Sequence, residues 1–324
     1  MFFKRLFIPS LLFLFCASVL FAGRDYFDDF LKMPDGQKSS FIQSLKPEEV
    51  WKIASQAYEK GWDDYGVSVG ILSKAFGQNW ERHRPSCEEL IAIVKDPAFH
   101  NGLRGATAAG GMELSSTWND DDFLRFVDVV LLFFQTKDIP YKWKWKIPDY
   151  LQRATQRKIE SSLHDKKTSP ETTALVDQLH ARSSVLMESI ATLVTNTPKS
   201  DSSLGDIVIA ASKYSGFYLS KTFPPSSNRD AAIRNAYRNR EILVSILDDS
   251  SYSSSVGRGV LRNAQAMKLW EVLSSKTVTK LESDKRFSDS DSTAVLHKLE
   301  QKIKTNPNTQ TGVVSRQSTN EMGK

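Results

Sequence analysis

The sequence predicts an all-α protein, and three observations support that prediction. Over most of the chain, apolar residues recur at intervals of three and four, the spacing that places them on one side of an α-helix. No segment forms a clear ladder of alternating apolar and polar residues, as a half-buried β-strand would. A helix–turn–helix pattern also occurs twice, which indicates helical hairpins stacked in an α-solenoid. An irregular helical bundle is the alternative.

The N-terminus has the layout of a secretory signal peptide. A short basic region ending at Arg5 precedes the apolar run Leu6–Phe21, which is short for a membrane span. We therefore predict a signal peptide over residues 1–22, export to the periplasm or out of the cell, and an all-α repeat domain over residues 23–305. An uncleaved anchor is the alternative, because Leu20 is larger than the residue usual before a cleavage site.

Composition and cysteine content narrow the classes of function. The formal net charge of the chain is +5, a balance too mild to indicate a nucleic-acid partner. Cleavage of the signal peptide leaves Cys87 without a second cysteine, so the stability of the protein comes from packing rather than from an internal disulfide. Glu88 and Glu89 disfavour a thiolate at Cys87, and we expect a buried, inert thiol.

The predicted helices follow one another along the chain. The segment Phe123–Phe134 is apolar almost all round and is expected to be the most buried helix. A polar tail without an apolar pattern occupies residues 306–324 and is predicted to be disordered. Prolines, capping residues and acidic first turns predict helix starts near Pro47, Asn119, Ser169, Asn228 and Asp289.

The repeated pattern covers Leu90–Leu103 and Leu243–Val256, which match without a gap. Each copy contains an apolar helix end, an aspartate turn, an aromatic residue and the start of a second helix. The matched pairs are Leu90 with Leu243, Ile93 with Ile246, Val94 with Leu247, Asp96 with Asp249, Phe99 with Tyr252, and Leu103 with Val256.

The first copy resembles HEAT-type repeats. Those repeats carry an Asp-Pro-like turn, then an aliphatic-arginine pair that opens a helix of small residues, and the matching pairs here are Asp96-Pro97 and Leu103-Arg104. The resemblance implies that Arg104 pairs with the turn aspartate and has a structural role. The second copy departs from the pattern, since Gly257 replaces the arginine and Arg258 lies one place later.

Four arginines are candidate binding residues. Arg234 and Arg238 are four apart and lie on one face of a helix, and Arg258 and Arg262 repeat that spacing on the next helix. If the two helices are neighbours, the arginines form a cationic strip suited to carboxylates, phosphates or acidic glycans. The alternative is a solvated face with local ion pairs.

The segment IPYKWKWKIPDY supplies the other candidates. Pro140 and Pro148 disfavour helix on their N-terminal sides, which predicts an extended chain between them. Rings would then share one face and lysines the other, and we expect the rings to pack against helices as a structural strap. Exposed rings would instead suit a membrane interface or a glycan. The candidate binding residues of this segment are Tyr141, Trp143 and Trp145.

No motif in the sequence identifies a reaction. The sequences typical of serine hydrolases, zinc proteases and phosphate-binding loops do not occur. His100 is expected to cap a helix or to be solvated. The remaining histidines have no metal-like spacing, and they are His83, His164, His180 and His297.

The expected function is therefore binding, without a cofactor or a metal. We predict an exported, non-enzymatic scaffold that engages a protein or an anionic envelope component, and no nucleic acid. One alternative is a cell-envelope enzyme acting on a polymer such as peptidoglycan, with Glu81, Glu113 or Glu188 as its acid. A peripheral membrane protein that uses the tryptophan–lysine segment is the other.

Overall fold

The structure is a computed structural model that describes residues 26–61, 85–115, 118–164 and 169–305. Within those ranges the chain forms thirteen α-helices and three short 3-10 helices, with no β-strand, which confirms the all-α prediction. The chain divides into two compact units, Met1–Arg104 and Gly105–Lys324. The predicted signal peptide and the predicted polar tail lie outside the described residues.

The first unit has a core of rings packed on aliphatic side chains. The rings of Phe27 and Phe30 are fully buried and stack with their centroids 6.1 Å apart. They pack together with the buried side chains of Ile42 and Ile53. The helices of this unit are α1 (Tyr26–Lys32), α2 (Asp35–Ser44), α3 (Pro47–Glu59), α4 (Cys87–Lys95) and the first residues of α5 (Asn101–Leu114).

The second unit contains the remaining helices. They are α6 (Asp120–Gln135), α7 (Ile147–His164), α8 (Pro170–Asn196), α9 (Leu204–Ser220), α10 (Ser227–Asp248), α11 (Ser254–Leu261), α12 (Ser275–Glu282) and α13 (Ser290–Thr305). The 3-10 helices are Tyr141–Trp143, Leu269–Glu271 and Lys285–Phe287.

Most predicted helix starts are confirmed by their capping bonds. The side chains of Asn119 and Ser169 accept hydrogen bonds from the backbone amides three residues later. The prediction that Asn228 caps α10 is wrong, because Ser226 accepts the bond from the Arg229 amide. Ser226, Ser227 and Asn228 are all of types that cap helices well, and Asn228 instead donates to Asp177 on α8 at 2.6 Å.

The prediction that α6 is the most buried helix is also wrong. Nine of its 16 residues are buried, whereas α9 buries 12 of 17. The reason is topological: α9 packs against α7, α8, α10 and α11, while α6 leaves Leu132 and Asp128 on an exposed side.

Side-chain contacts show how α6, α8 and α10 are aligned with one another. Arg182 of α8 donates to Asp128 of α6 at 2.8 Å, and Gln135 of α6 donates to Ser189 of α8 at 3.1 Å. Because residue numbers increase together along this contact, α6 and α8 run parallel. Three asparagines of α10 donate to α8 in the same way. The pairs are Asn228 with Asp177, Asn235 with Ser184, and Asn239 with Met187. The residue numbers again increase together, so α8 and α10 are parallel as well.

The helices that follow them, α7, α9 and α11, form a layer of their own. Lys213 of α9 donates to Asp149 of α7, and Lys221, the C-cap residue of α9, donates to Glu160 of α7, again in parallel order. Further along, α9 packs against α11. Three helical hairpins, α6–α7, α8–α9 and α10–α11, therefore pack side by side, and we refer to them as the hairpin stack. This arrangement is compatible with a helical repeat fold.

Candidate functional site

The two copies of the sequence repeat adopt the same turn. The Asp96 side chain accepts a hydrogen bond from the Ala98 amide at 2.8 Å, and the Asp249 side chain accepts one from the Ser251 amide at 2.9 Å. Their backbone carbonyls accept from the aromatic residue three places later in each copy. The repeat therefore encodes a local structure, an aspartate-stapled turn between two helices.

Arg104 has a structural position in the first copy. Its Nε donates to the Val94 carbonyl at 2.9 Å and its Nη1 to Asn101 at 2.8 Å. Burial lowers the pKa of Arg104, while the nearby charge of Asp96 opposes that shift. The guanidinium thus bonds the end of α4 directly. Beside it, His100 accepts from the Gly102 amide at 3.0 Å, which makes it the predicted helix cap.

A different arginine has this role in the second copy. Arg286 donates to the carbonyls of Leu247 and Asp249, at 2.8 and 2.7 Å, and Leu247 is the counterpart of Val94. A Cβ at Gly257, the position that replaces Arg104, would lie 2.8 Å from the ring of Phe287. Arg286 is not predicted by the repeat pattern, because it lies outside the repeat and reaches the turn only through folding.

Two of the four candidate arginines lie on α10, and the other two lie on α11 or at its end. Arg234 and Arg238 are exposed on α10, and within the described ranges neither has an ion-pair or hydrogen-bond partner. Arg258 donates to the Ser254 carbonyl and lies 3.7 Å from Asp289; Arg262 follows the end of α11. At 1.5 Å per residue, Arg234 and Arg238 are about 20 Å and about 15 Å from the turn end of α10, and Arg258 and Arg262 are about 6 Å and about 12 Å from the start of α11. Arg238 and Arg262 therefore lie at similar levels of the hairpin, whereas Arg234 and Arg258 do not.

The tryptophan–lysine segment is not extended, contrary to the prediction. Tyr141–Trp143 is a 3-10 helix, the Lys144 amide donates to the Tyr141 carbonyl at 2.7 Å, and α7 begins at Ile147. Pro148 lies in the first turn of α7, where its fixed φ suits a helix and its missing amide hydrogen loses no bond. The alternation of rings and cations therefore does not produce two opposite faces.

Lys144 also contradicts the prediction that every lysine of the segment faces solvent. Its side chain is buried, and its ammonium donates a hydrogen bond to the carbonyl oxygen of Thr136, which ends α6. Burial lowers the pKa of Lys144 to about 8, although the charge of Asp138 opposes the shift. The carbonyls at a helix end need a donor, and this lysine supplies one.

The three rings of the segment differ in their exposure. Tyr141 is half-buried with its ring edge-on to Phe134, and burial raises the pKa of its hydroxyl. Trp143 is half-buried, and its carbonyl approaches α5 so closely that a Cβ at Gly105 would be 1.9 Å away. Trp145 is 49 % exposed. Packing thus accounts for Tyr141 and Trp143 but not for Trp145.

The candidate acids of the enzyme hypothesis are solvated where they are described. Glu113 is exposed beside Arg153 at 3.7 Å, Glu188 is exposed on α8, and Glu81 lies outside the described residues. A cavity of about 220 Å³ opens between α5, α6 and α7. No glutamate lines it; its residues are Met112, Ser115, Phe123, Ala154, Arg157, Lys158 and Ser161.

A buried polar cluster in the second unit was not predicted. His180 of α8 lies 3.0 Å from the Tyr218 hydroxyl and edge-on to Phe223. Burial lowers the pKa of His180 to about 4, against the opposing charge of Asp177, so the imidazole is neutral at pH 7. Its spacing of four and seven residues from Val176 and Met187, on the buried side of α8, was the available signal. The cluster joins the two helices of the second hairpin.

In the described part of the chain, no three histidine, cysteine or acidic side chains converge as metal ligands. No helix in the same ranges has both the length and the apolar character needed to cross a membrane. Comparison with known proteins finds no family model, no curated protein and no solved structure that matches this chain.

Proposed function

We propose that the chain is an exported, non-enzymatic scaffold that binds a protein partner through the first-helix layer of the hairpin stack. The observation that carries the proposal is a pair of exposed apolar residues on neighbouring parallel helices. Leu132 of α6 is 62 % exposed and Val185 of α8 is 40 % exposed. Single exposed apolar residues are normal, but adjacent ones form a patch of the kind found at binding sites.

The register of α6 and α8 brings these two side chains to one level. Leu132 lies between Asp128 and Gln135, whose partners on α8 flank Val185 on both sides. The partner of Asp128, Arg182, makes a bidentate contact with both carboxylate oxygens at 2.8 Å. A polar frame around an apolar centre is the usual anatomy of a protein interface.

The third parallel helix adds an aromatic residue near the same level. Tyr237 of α10 is 42 % exposed, and its ring lies 4.7 Å from the guanidinium of Arg240. Tyrosine and arginine are enriched among the residues that contribute most to binding. The exposed Arg234 and Arg238 lie on the same helix. We include them in the proposed surface, where their charges would complement an acidic segment of the partner.

Two sequence features support the wider proposal. The signal-peptide layout supports export, and the turn of the first repeat copy supports a HEAT-like stack, whose hairpins present long surfaces for other proteins. This step rests on analogy of architecture. The enzyme alternative has no such support, because Glu113 and Glu188 are exposed and neither lines the cavity between α5, α6 and α7.

Affinity capture from an envelope extract tests the proposal. The bait is the purified chain without its predicted signal peptide, compared with a Leu132→Asp/Val185→Asp variant. Thr192→Asp/Ser245→Asp is the matched control, since both residues are exposed on the same helix layer. We expect a protein retained by the wild type and by the control and lost with the apolar-site variant. Equal retention by all three baits, or no enriched protein, contradicts the proposal.

A further inference from the structure

We infer that Lys142, Trp145 and Lys146 form a docking surface for an anionic phospholipid bilayer, and we call these three residues the Trp145 patch. This inference goes beyond the proposed protein partner and concerns a different part of the second unit, the connection between α6 and α7. It starts from Trp145, a large apolar side chain left 49 % exposed although its neighbours Lys144 and Ile147 are buried.

Two lysines without acidic partners in the described residues lie over tryptophan rings of this segment, one of them over Trp145. The ammonium of Lys146 lies 5.1 Å from the Trp145 ring centroid, and that of Lys142 lies 4.7 Å from the Trp143 ring. Within the described residues neither lysine has an ion-pair partner, and both are exposed. The nearest acid along α7, Asp149, is already paired with Lys213 and Arg153. The patch therefore complements a negatively charged surface.

The backbone that carries the patch is held in place. Lys144 anchors it to the end of α6, and the side chains of Ile139 and Ile147 are buried at either end. The carbonyl of Trp143 packs against Gly105. A surface that is ordered before binding loses little conformational entropy when it binds, so even a small patch can contribute.

The chemistry of the patch favours lipid over a glycan or a protein. An indole flanked by lysines matches the headgroup region of a bilayer, where tryptophan is enriched and cations meet lipid phosphates. A sugar would stack on the flat ring, but the ammonium of Lys146 already lies over the Trp145 ring. The surface area of a single exposed indole is also far smaller than the area that a stable protein interface buries.

The expected binding is weak and reversible. Each lysine near an anionic surface strengthens binding about five-fold at low salt, and insertion of the exposed part of an indole adds about ten-fold or more. Screening shortens the reach of the lysines as salt increases. The Trp145 patch is thus expected to make a peripheral contact that orients the protein on a membrane.

Vesicle co-sedimentation tests the inference with the chain lacking its predicted signal peptide. The probes are vesicles of phosphatidylcholine alone and vesicles with one third phosphatidylglycerol. We expect binding to the anionic vesicles only, weakened in 1 M salt, reduced about ten-fold by Trp145→Ala and at least twenty-fold by Lys142→Glu/Lys146→Glu. Lys276→Glu/Lys280→Glu on α12 is the control with the same charge change on exposed lysines, and we expect a much smaller effect from it.

Several results would overturn the inference. They are no binding to anionic vesicles, equal binding to both vesicle types, or equal losses in the patch and control variants. Binding to an acidic polysaccharide without vesicle binding would also overturn it. Thermal unfolding of each variant checks that the fold is intact. Leu132→Asp/Val185→Asp is expected to bind vesicles normally, so failure here and failure of the proposed protein partner are distinguishable.

Discussion

The ammonium of Lys144 donates a hydrogen bond to the carbonyl oxygen of Thr136, the residue that ends α6. This bond connects the tryptophan–lysine segment to the end of α6. It involves a buried lysine, although the neighbouring lysines in the sequence are exposed. Arg104 and Arg286 bond the ends of α4 and α10 in the same way. Long cationic side chains thus complete helix ends at three turns of this protein.

Replacement of Lys144 by methionine tests the anchor. Lys144→Met keeps the length of the side chain and removes the charged donor, which leaves the Thr136 carbonyl without that bond. We expect the free energy of unfolding to fall by about 1–3 kcal/mol in denaturant titrations. Lys142→Met is the matched control and is expected to change it by less than about 0.5 kcal/mol, because Lys142 is exposed. A similar small effect for both would contradict the anchoring role.

Gly105→Ala tests the close approach of the segment to α5. The new Cβ would overlap the Trp143 carbonyl, a backbone atom that a rotamer change cannot move. We expect a loss of about 2 kcal/mol or more in unfolding free energy, together with a change in tryptophan fluorescence. Gly36→Ala is the control, since nothing lies within 4 Å of its Cβ and α2 gains helix propensity. Equal stability of the two variants would show that the segment does not rest on α5.

Arg286→Met tests the replacement of the repeat arginine by a residue from outside the repeat. The change removes the donors to Leu247 and Asp249 and leaves Asp284 without its cation. We expect a loss of about 2–4 kcal/mol in the free energy of unfolding, measured by denaturant titration. Arg234→Met removes an exposed arginine and is expected to cost less than about 0.5 kcal/mol. Should the two losses be equal, the turn does not depend on Arg286.

The lowered pKa of His180 predicts acid sensitivity. The folded-state pKa of about 4 lies below the ordinary 6.5, so the unfolded chain binds the proton more readily. Stability is therefore unaffected by this group above pH 6.5, falls as the pH drops from 6.5 to 4, and stays reduced below 4. Between pH 6.5 and pH 4, we expect the free energy of unfolding of His180→Leu to fall by about 2–3 kcal/mol less than that of the wild type.

Unfolding titrations of both proteins at pH 7, 5.5 and 4 measure the difference. The wild type and His180→Leu differ at pH 7 by the lost contact with Tyr218, so only the change with pH carries the test. Parallel pH profiles would mean that His180 is protonated in the folded protein as easily as in the unfolded chain. The acidic residues of the chain titrate in both proteins and cancel in the comparison.

Local interactions determined what could be predicted from the sequence. The periodicity of apolar residues, the caps at Asn119 and Ser169, and the aspartate turns of the repeat all depend on residues within a few positions of one another. These interactions can be predicted without knowing which residues become neighbours in the folded protein. The all-α class and the equivalence of Asp96 and Asp249 were predictable for that reason.

Tertiary packing decided the rest, because it depends on residues that are distant in sequence. Ser226 rather than Asn228 caps α10, since Asn228 finds a partner on α8. Arg286 reaches a turn that its sequence position does not indicate, and His180 becomes buried only when α9 covers α8. The arginines of α10 and α11 share a spacing, but Arg234 lies far from the turn between the two helices and Arg258 lies close to it.

The tryptophan–lysine segment shows, within a few residues, the difference between what local sequence determines and what tertiary packing decides. Its composition alone determined that rings and cations would stand together. Which lysine is buried was decided by the end of α6, where the Thr136 carbonyl needs a donor and Lys144 is within reach. The backbone turns between Tyr141 and Ile147 through its own hydrogen bonds, and Trp145 in that turn is left exposed.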